Sequence, residues 1–149
     1  MEKYFEEAIK AAKNGVKNKE GGPFGAVVVK NNQIVGVGNN KVLTNNDPTA
    51  HAEIVAIRNA CQNLKTYDLT GCIIYSTSEP CPMCLSSIIW SNIKDVYYAT
   101  NRIDVANIGF RDDLIYNYFE GKEKDVIKVK HVDNKMCNEL LKEYKNTIY

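Results

Sequence analysis

No stretch of this chain is apolar for the roughly 18 residues that would suggest a membrane span. Its first residues, Met1-Glu2-Lys3-Tyr4-Phe5-Glu6-Glu7, have neither the basic start nor the apolar run of a secretory signal. These two absences point to the cytoplasm. Charge of one sign is also missing, since 19 Lys and Arg face 18 Asp and Glu. With no general positive field, binding a nucleic acid would need a local basic patch. Internal repeats, low-complexity tracts and linkers are absent too. A length of 149 residues then reads as a single domain, 1–149, large enough for a packed core. Histidine is scarce, with 2 in the chain. His131 lies between Lys130 and Val132 in an alternating stretch and reads as surface. Any histidine chemistry therefore falls to His51.

His51 stands in His51-Ala52-Glu53, and 26 residues separate that glutamate from Pro80-Cys81-Pro82-Met83-Cys84. One histidine and two cysteines supply three ligands for a tetrahedral zinc and leave the fourth position open, as catalytic zinc sites do; structural sites use four protein ligands. Glu53 is not needed as a ligand and is free to handle protons. A lone Cys-x-x-Cys is common, but together with His-x-Glu and the following helix starts the pattern is far more specific. The other cysteines, Cys61, Cys72 and Cys137, have apolar neighbours and read as small buried thiols.

Phe5, Ile9, Ala12 and Val16 recur at helical spacing and predict a helix over 2–18, stopped by Gly21-Gly22-Pro23. Strands are predicted at 24–30 and 33–39, joined by a tight turn at Asn31-Asn32. Residues 40–49 read as a polar connection. Asp47-Pro48 reads as an N-cap and first helical position, predicting a helix over about 48–63. Residues two apart sit about 200° around a helix, so His51 and Glu53 can serve one metal only if it lies off the helix end. A third strand at 72–77 leads into a helix over about 81–92. Its first turn carries Cys81 and Cys84 on one face, where the helix dipole favours thiolate. Two helix N-termini are thus expected to meet at one metal. A fourth strand is expected at 95–100, a helix broken at Gly109 over 104–118, a fifth strand at 126–132, and a closing helix over 133–145 with Met136, Leu140 and Leu141 inward. Strands alternating with helices predict an α/β fold, a three-layer α/β/α sandwich around a mixed five-stranded sheet.

The spacing of His-x-Glu and Pro-Cys-x-x-Cys matches the signature of zinc-dependent base deaminases. Over its whole length the chain resembles the cytidine deaminase-like superfamily. Within it, the chain is most similar to bacterial guanine deaminases. The segments that carry the likeness include Gly21-Gly22-Pro23-Phe24-Gly25-Ala26-Val27, Asn39-Asn40, Asn46-Asp47-Pro48-Thr49-Ala50-His51-Ala52-Glu53, Glu79-Pro80-Cys81-Pro82-Met83-Cys84-Leu85, Ile89-Trp90 and Ile108-Gly109-Phe110-Arg111-Asp112-Asp113-Leu114-Ile115-Tyr116. The zinc segments mark the superfamily; the Gly-Phe-x-Asp-Asp segment and the terminal aromatic Tyr149 mark the guanine branch.

The resemblance implies one zinc per chain on His51, Cys81 and Cys84, with Glu53 as the main proton shuttle. It implies that Asn40 hydrogen-bonds the purine, that Phe24 packs on the base, that Trp90 lines the site and that Tyr149 contacts substrate. Asp112 would recognise the amino end of the base and move a second proton, with Asp113 the alternative by register. Arg111 departs from the acidic residue expected there. The resemblance also implies a homodimer exchanging its C-terminal strand and helix. The chemistry expected is hydrolysis of guanine to xanthine and ammonia. The alternatives are a tRNA adenosine deaminase, a deaminase of another base or nucleoside such as cytosine or guanosine, and a zinc-stabilised binding module without chemistry. The near-neutral charge argues against tRNA, and the spare carboxylate of Glu53 argues against a purely structural zinc.

Overall fold

The computed structural model describes residues 1–145 and 148–149. Its first element is α1 (Glu2–Lys17), followed by β1 (Gly25–Lys30), β2 (Gln33–Asn39) and a single turn of helix, α2 (Val42–Asn45). Next come α3 (Ala52–Leu64), β3 (Cys72–Ser78), α4 (Pro82–Trp90) and β4 (Asp95–Thr100). Three helices close the chain: α5 (Arg102–Asn107), α6 (Asp113–Phe119) and α7 (Lys135–Glu143). The sheet has four strands in the order β2-β1-β3-β4. β1 pairs antiparallel with β2 and β3, while β3 and β4 run parallel through the α4 crossover. Asn31 and Asn32 take φ of 49° and 63° and form the expected turn between β1 and β2.

Both faces of the sheet are covered, which is why β1 is an unbroken apolar run. Alternate residues go to opposite sides. Val27, Val29 and Tyr75 pack with Tyr4 and Ala8 of α1. Ala26, Val28 and Ile74 pack with Ala52, Ala56 and Ala60 of α3 and with Ile88 of α4. The result is the three-layer sandwich. On α1 the buried stripe is Tyr4, Ala8, Ala12 and Gly15, one residue round from the expected stripe. Small side chains let the helix lie close, and Ile9 and Val16 are left exposed beside an apolar groove that reaches Thr77, Ala99 and Thr100.

The opposite helix, α3, sits against β2 just as closely. A Cβ on Gly38 would lie 2.2 Å from the Ala52 carbonyl oxygen and 2.4 Å from the Ala56 backbone nitrogen. Glycine at 38 therefore sets the height of the first turn of α3, where Glu53 sits.

Three expectations need correction. Helix α3 begins at Ala52 with His51 as N-cap, because Asp47 spends its carboxylate on the Thr49 backbone and hydroxyl at 2.8 and 2.6 Å. Residues 126–132 form no strand, so the sheet has four strands and not five. Alternation is not enough for a strand, whose backbone groups need a neighbour, and β4 ends the sheet without pairing to this segment. Finally, Met136, Leu140 and Leu141 are exposed on α7, and so is Cys137. No part of the same chain packs over them among the described residues.

The Gly38 contact makes a testable statement. Gly38→Ala should destabilise the fold by about 1–3 kcal/mol, the usual cost of overpacking, read as a lower urea midpoint with unchanged slope.

Candidate active site

Two loops bring the ligand types together. His51 caps α3 with φ −69° and ψ 158°. Cys81 caps α4 with φ −64° and ψ 167°, and Pro82 follows at a position where a missing N–H costs nothing. Both side chains therefore start outside their helices and point off the ends, as one metal between two helix starts requires. Cys84, one turn into α4, is fully buried.

The donor atoms of His51, Cys81 and Cys84 all lie within 4.8 Å of one another. His51 Nδ1 stands 3.6 Å from Cys81 Sγ and 3.5 Å from Cys84 Sγ. Zinc–sulfur bonds of about 2.3 Å and zinc–nitrogen bonds of about 2.0–2.1 Å at a tetrahedral angle give an N···S edge of about 3.5 Å. The cluster thus has the dimensions of three corners of a zinc tetrahedron, and the residues present fit the metal. The thiols are already unequal. The Cys84 S–H bonded to Cys81, with help from His51, lowers the Cys81 pKa to about 4. Cys84, which supplies that hydrogen and is buried, is pushed upward. The hydrogen bond to Cys81 raises His51.

Glu53 is 7 % exposed. Its Oε2 lies 3.4 Å from Cys84 Sγ and its Oε1 accepts the Ser76 hydroxyl at 3.2 Å. Burial pushes its carboxyl above the ordinary range. Glu53, His51 and Cys81 open onto a cavity of about 480 Å³, also lined by Phe24, Asn40, Phe110 and Asp112.

Asn40, 5 % exposed, uses Oδ1 to accept the Val42 N–H at 3.1 Å, which leaves its amide nitrogen as the group it can offer a ligand. Gly21 makes room for it, because a Cβ there would fall 2.0 Å from Asn40 Oδ1. Phe24 meets Phe110 edge to face at 4.9 Å. Asp112 lines the cavity, and partial burial raises its pKa. Asp113 is held outside by Arg111, whose Nε and Nη2 reach its carboxylate at 3.0 and 2.5 Å, and this bond lowers its pKa. The departure at Arg111 thus sorts the two neighbouring carboxylates.

Two expected site residues are not brought to the cavity of their own chain. Trp90, at the end of α4, is 84 % exposed and lies outside the lining. Tyr149 meets Tyr67, in the loop between α3 and β3, with ring centroids 6.1 Å apart; Asn146 and Thr147 of the same terminal segment lie outside the described residues. Ser76, Ser78 and Val105 are site residues that the sequence reading passed over. The available signal was a serine at 76, on the face of β3 that carries Ile74.

The chain belongs to the family described as the cytidine and deoxycytidylate deaminase zinc-binding region, whose model matches residues 1–100. His51, Cys81 and Cys84 could form the zinc site of that family, and the family makes it a hydrolase acting on carbon–nitrogen bonds. The chain is 50% identical over 115 residues to the guanine deaminase of Bacillus subtilis, covering 77% of this chain and 74% of the relative. The crystal structure of guanine deaminase from Bacillus subtilis superposes with a TM-score of 0.90 over 99% of this chain and 97% of that one, at 40% identity. The tRNA-specific adenosine deaminase of Buchnera aphidicola subsp. Schizaphis graminum is 37% identical over 123 residues, 82% of this chain and 79% of the relative.

The cluster predicts that Cys81→Ala and Cys84→Ala lose most of the zinc that the unaltered chain holds at about one per chain. Metal analysis after gel filtration checks it; full zinc in either variant would displace that cysteine from the ligand set.

Proposed function

We propose that the chain hydrolyses guanine to xanthine and ammonia. The observation that carries this reading is the buried Glu53 carboxylate beside the His51–Cys81–Cys84 cluster, at the floor of a cavity that also holds Asn40 and Asp112. The choice of guanine rests on the likeness to guanine deaminase over almost the whole chain. When bound, zinc supplies a Lewis acid that makes water a nucleophile at neutral pH.

The chain's own groups do the rest. Glu53 takes a proton from the water and delivers it to a ring nitrogen, a transfer helped by the upward shift that burial gives its carboxyl. Water's oxygen adds at C2, and the tetrahedral carbon then releases the 2-amino group as ammonia. Asp112, also shifted upward, faces the amino end and helps protonate that leaving group. Asn40 donates its amide N–H to an acceptor on the purine. Phe24 packs against the base, with Phe110 bracing it. The five cysteines are free thiols, a state kept in a reducing compartment such as the cytoplasm, where we place the chain.

Trp90, Tyr149 and the C-terminal segment find their use in a second copy. In this reading the protein is a homodimer that exchanges residues 126–149, and each partner's segment closes the other's cavity. Four features support it: the outer edge of β4, unpaired among the described residues, the alternating residues 126–132, the exposed apolar side of α7, and the apolar groove beside α1. Clustered exposed apolar side chains are a common feature of interfaces, and exchanging an identical element is a low-cost route to a dimer. Lys13 and Lys17 at the groove also complement Glu139 and Glu143 of α7.

Ammonia release from guanine, set against cytosine, guanosine and a tRNA anticodon stem-loop, tests the substrate. Guanine should be turned over fastest, and a faster stem-loop would overturn the reading. In the same assay Glu53→Gln should keep zinc and lose about 10²–10⁴-fold in rate. Asp112→Ala should cost more than Asp113→Ala. Removing Lys145 to Tyr149 should raise KM and lower kcat with zinc retained. Sedimentation should give a dimer for the full chain, and a fully active monomer would end the exchange.

A further inference from the structure

We infer that Ser76 is a positioning residue for Glu53, holding the carboxylate at the angle that proton transfer requires. The inference rests on the proposed proton-carrying role of Glu53. Ser76 is 2 % exposed, in the middle of β3. The layer between sheet and α3 is an apolar cluster that includes Ala26, Val28, Ile74 and the alanines of α3. Across the strand pair, Ser76 stands opposite Ala26. A hydroxyl in such a layer is costly unless it is bonded, and its bond here is to Glu53 Oε1 at 3.2 Å.

The direction of that bond follows from the atoms around it. The Ser78 backbone N–H points at Ser76 Oγ from 3.4 Å and takes up one of its lone pairs. The single hydroxyl hydrogen is then left for the carboxylate, so Ser76 donates and Glu53 accepts. The carboxyl's other side-chain contact is Cys84 Sγ, 3.4 Å from Oε2. That sulfur belongs to the metal cluster. Ser76 is thus the side-chain tether on Glu53 that is not itself a ligand, and it is anchored in the sheet.

A glutamate reaches its carboxylate through three side-chain torsions. The first turn of α3 sets where Glu53 starts, and the Ser76 bond sets where its last torsion stops. Losing the bond leaves the metal cluster and the purine contacts in place but lets the carboxylate turn. The cost should therefore fall on kcat and spare KM.

The test compares Ser76→Ala, Ser76→Thr and Glu53→Gln with the unaltered chain, reading zinc content, melting temperature, KM and kcat on guanine. Ser76→Ala should keep its zinc and its KM and lose about 10–100-fold in kcat, the usual effect of removing an orienting partner. Ser76→Thr restores the hydroxyl and should recover most of that loss. Unchanged kcat in Ser76→Ala overturns the inference, as does a zinc-loaded Ser76→Thr as slow as Ser76→Ala. Loss of zinc from Ser76→Ala also overturns it, by making Ser76 a support of the metal cluster. Full activity in Glu53→Gln would instead sink the reading of Glu53 itself.

Discussion

Everything in this molecule answers to one requirement: one imidazole nitrogen, two sulfurs and one carboxylate must converge between the first turns of two helices. The donors come within 4.8 Å of one another, yet they arrive from segments on either side of β3 in the chain. Two helix starts suit such a cluster because their unpaired N–H groups and dipoles favour negative charge. That also explains why His51 and Cys81 are both N-caps. As caps they keep extended backbone angles and reach beyond the helix, while Glu53 and Cys84 follow within the first turn. The sheet's task is to hold the two helix starts at this separation, and the close approach of Gly38 to Ala52 is one of the contacts that does so.

Electrostatic contrast is concentrated at the same place. Glu53 and Asp112 are both shifted upward by burial, while Asp113, a single residue away, is pulled down by Arg111. Two adjacent aspartates thereby become different chemical groups. One is a partly buried carboxyl whose pKa is raised at the cavity wall, and the other is a member of a surface ion pair whose pKa is lowered. Arg111, which departs from the acidic residue expected there, makes this division.

The metal cluster was legible in the sequence because its chemistry constrains both residue type and spacing: His51, Glu53, Cys81 and Cys84 stand where the pattern places them. The strands β1 to β4 were legible as short apolar runs between turn residues. Local signals failed where a competing bond or a missing neighbour decided the outcome. Asp47 resembles a helix cap, but Thr49 captures its carboxylate. Residues 126–132 alternate like a strand, but pairing is a property of two segments, and alternation in one says nothing of where the other lies. Trp90 and Tyr149 are exposed in their own chain for a similar reason: membership of a family motif does not say what a side chain will lie against. Ser76 escaped notice because a serine in a strand carries little information until its bond to Glu53 is seen.

The order in which the elements occur along the chain has a consequence for biosynthesis. The sheet and its covering helices are complete by Thr100, and the cavity wall by Asp112. Translation at about 5–20 residues per second therefore delivers an entire core before the last helix leaves the ribosome. Few buried contacts in that core wait for residues after 112. The nascent domain can reach its final packing early, with its apolar tail still unplaced.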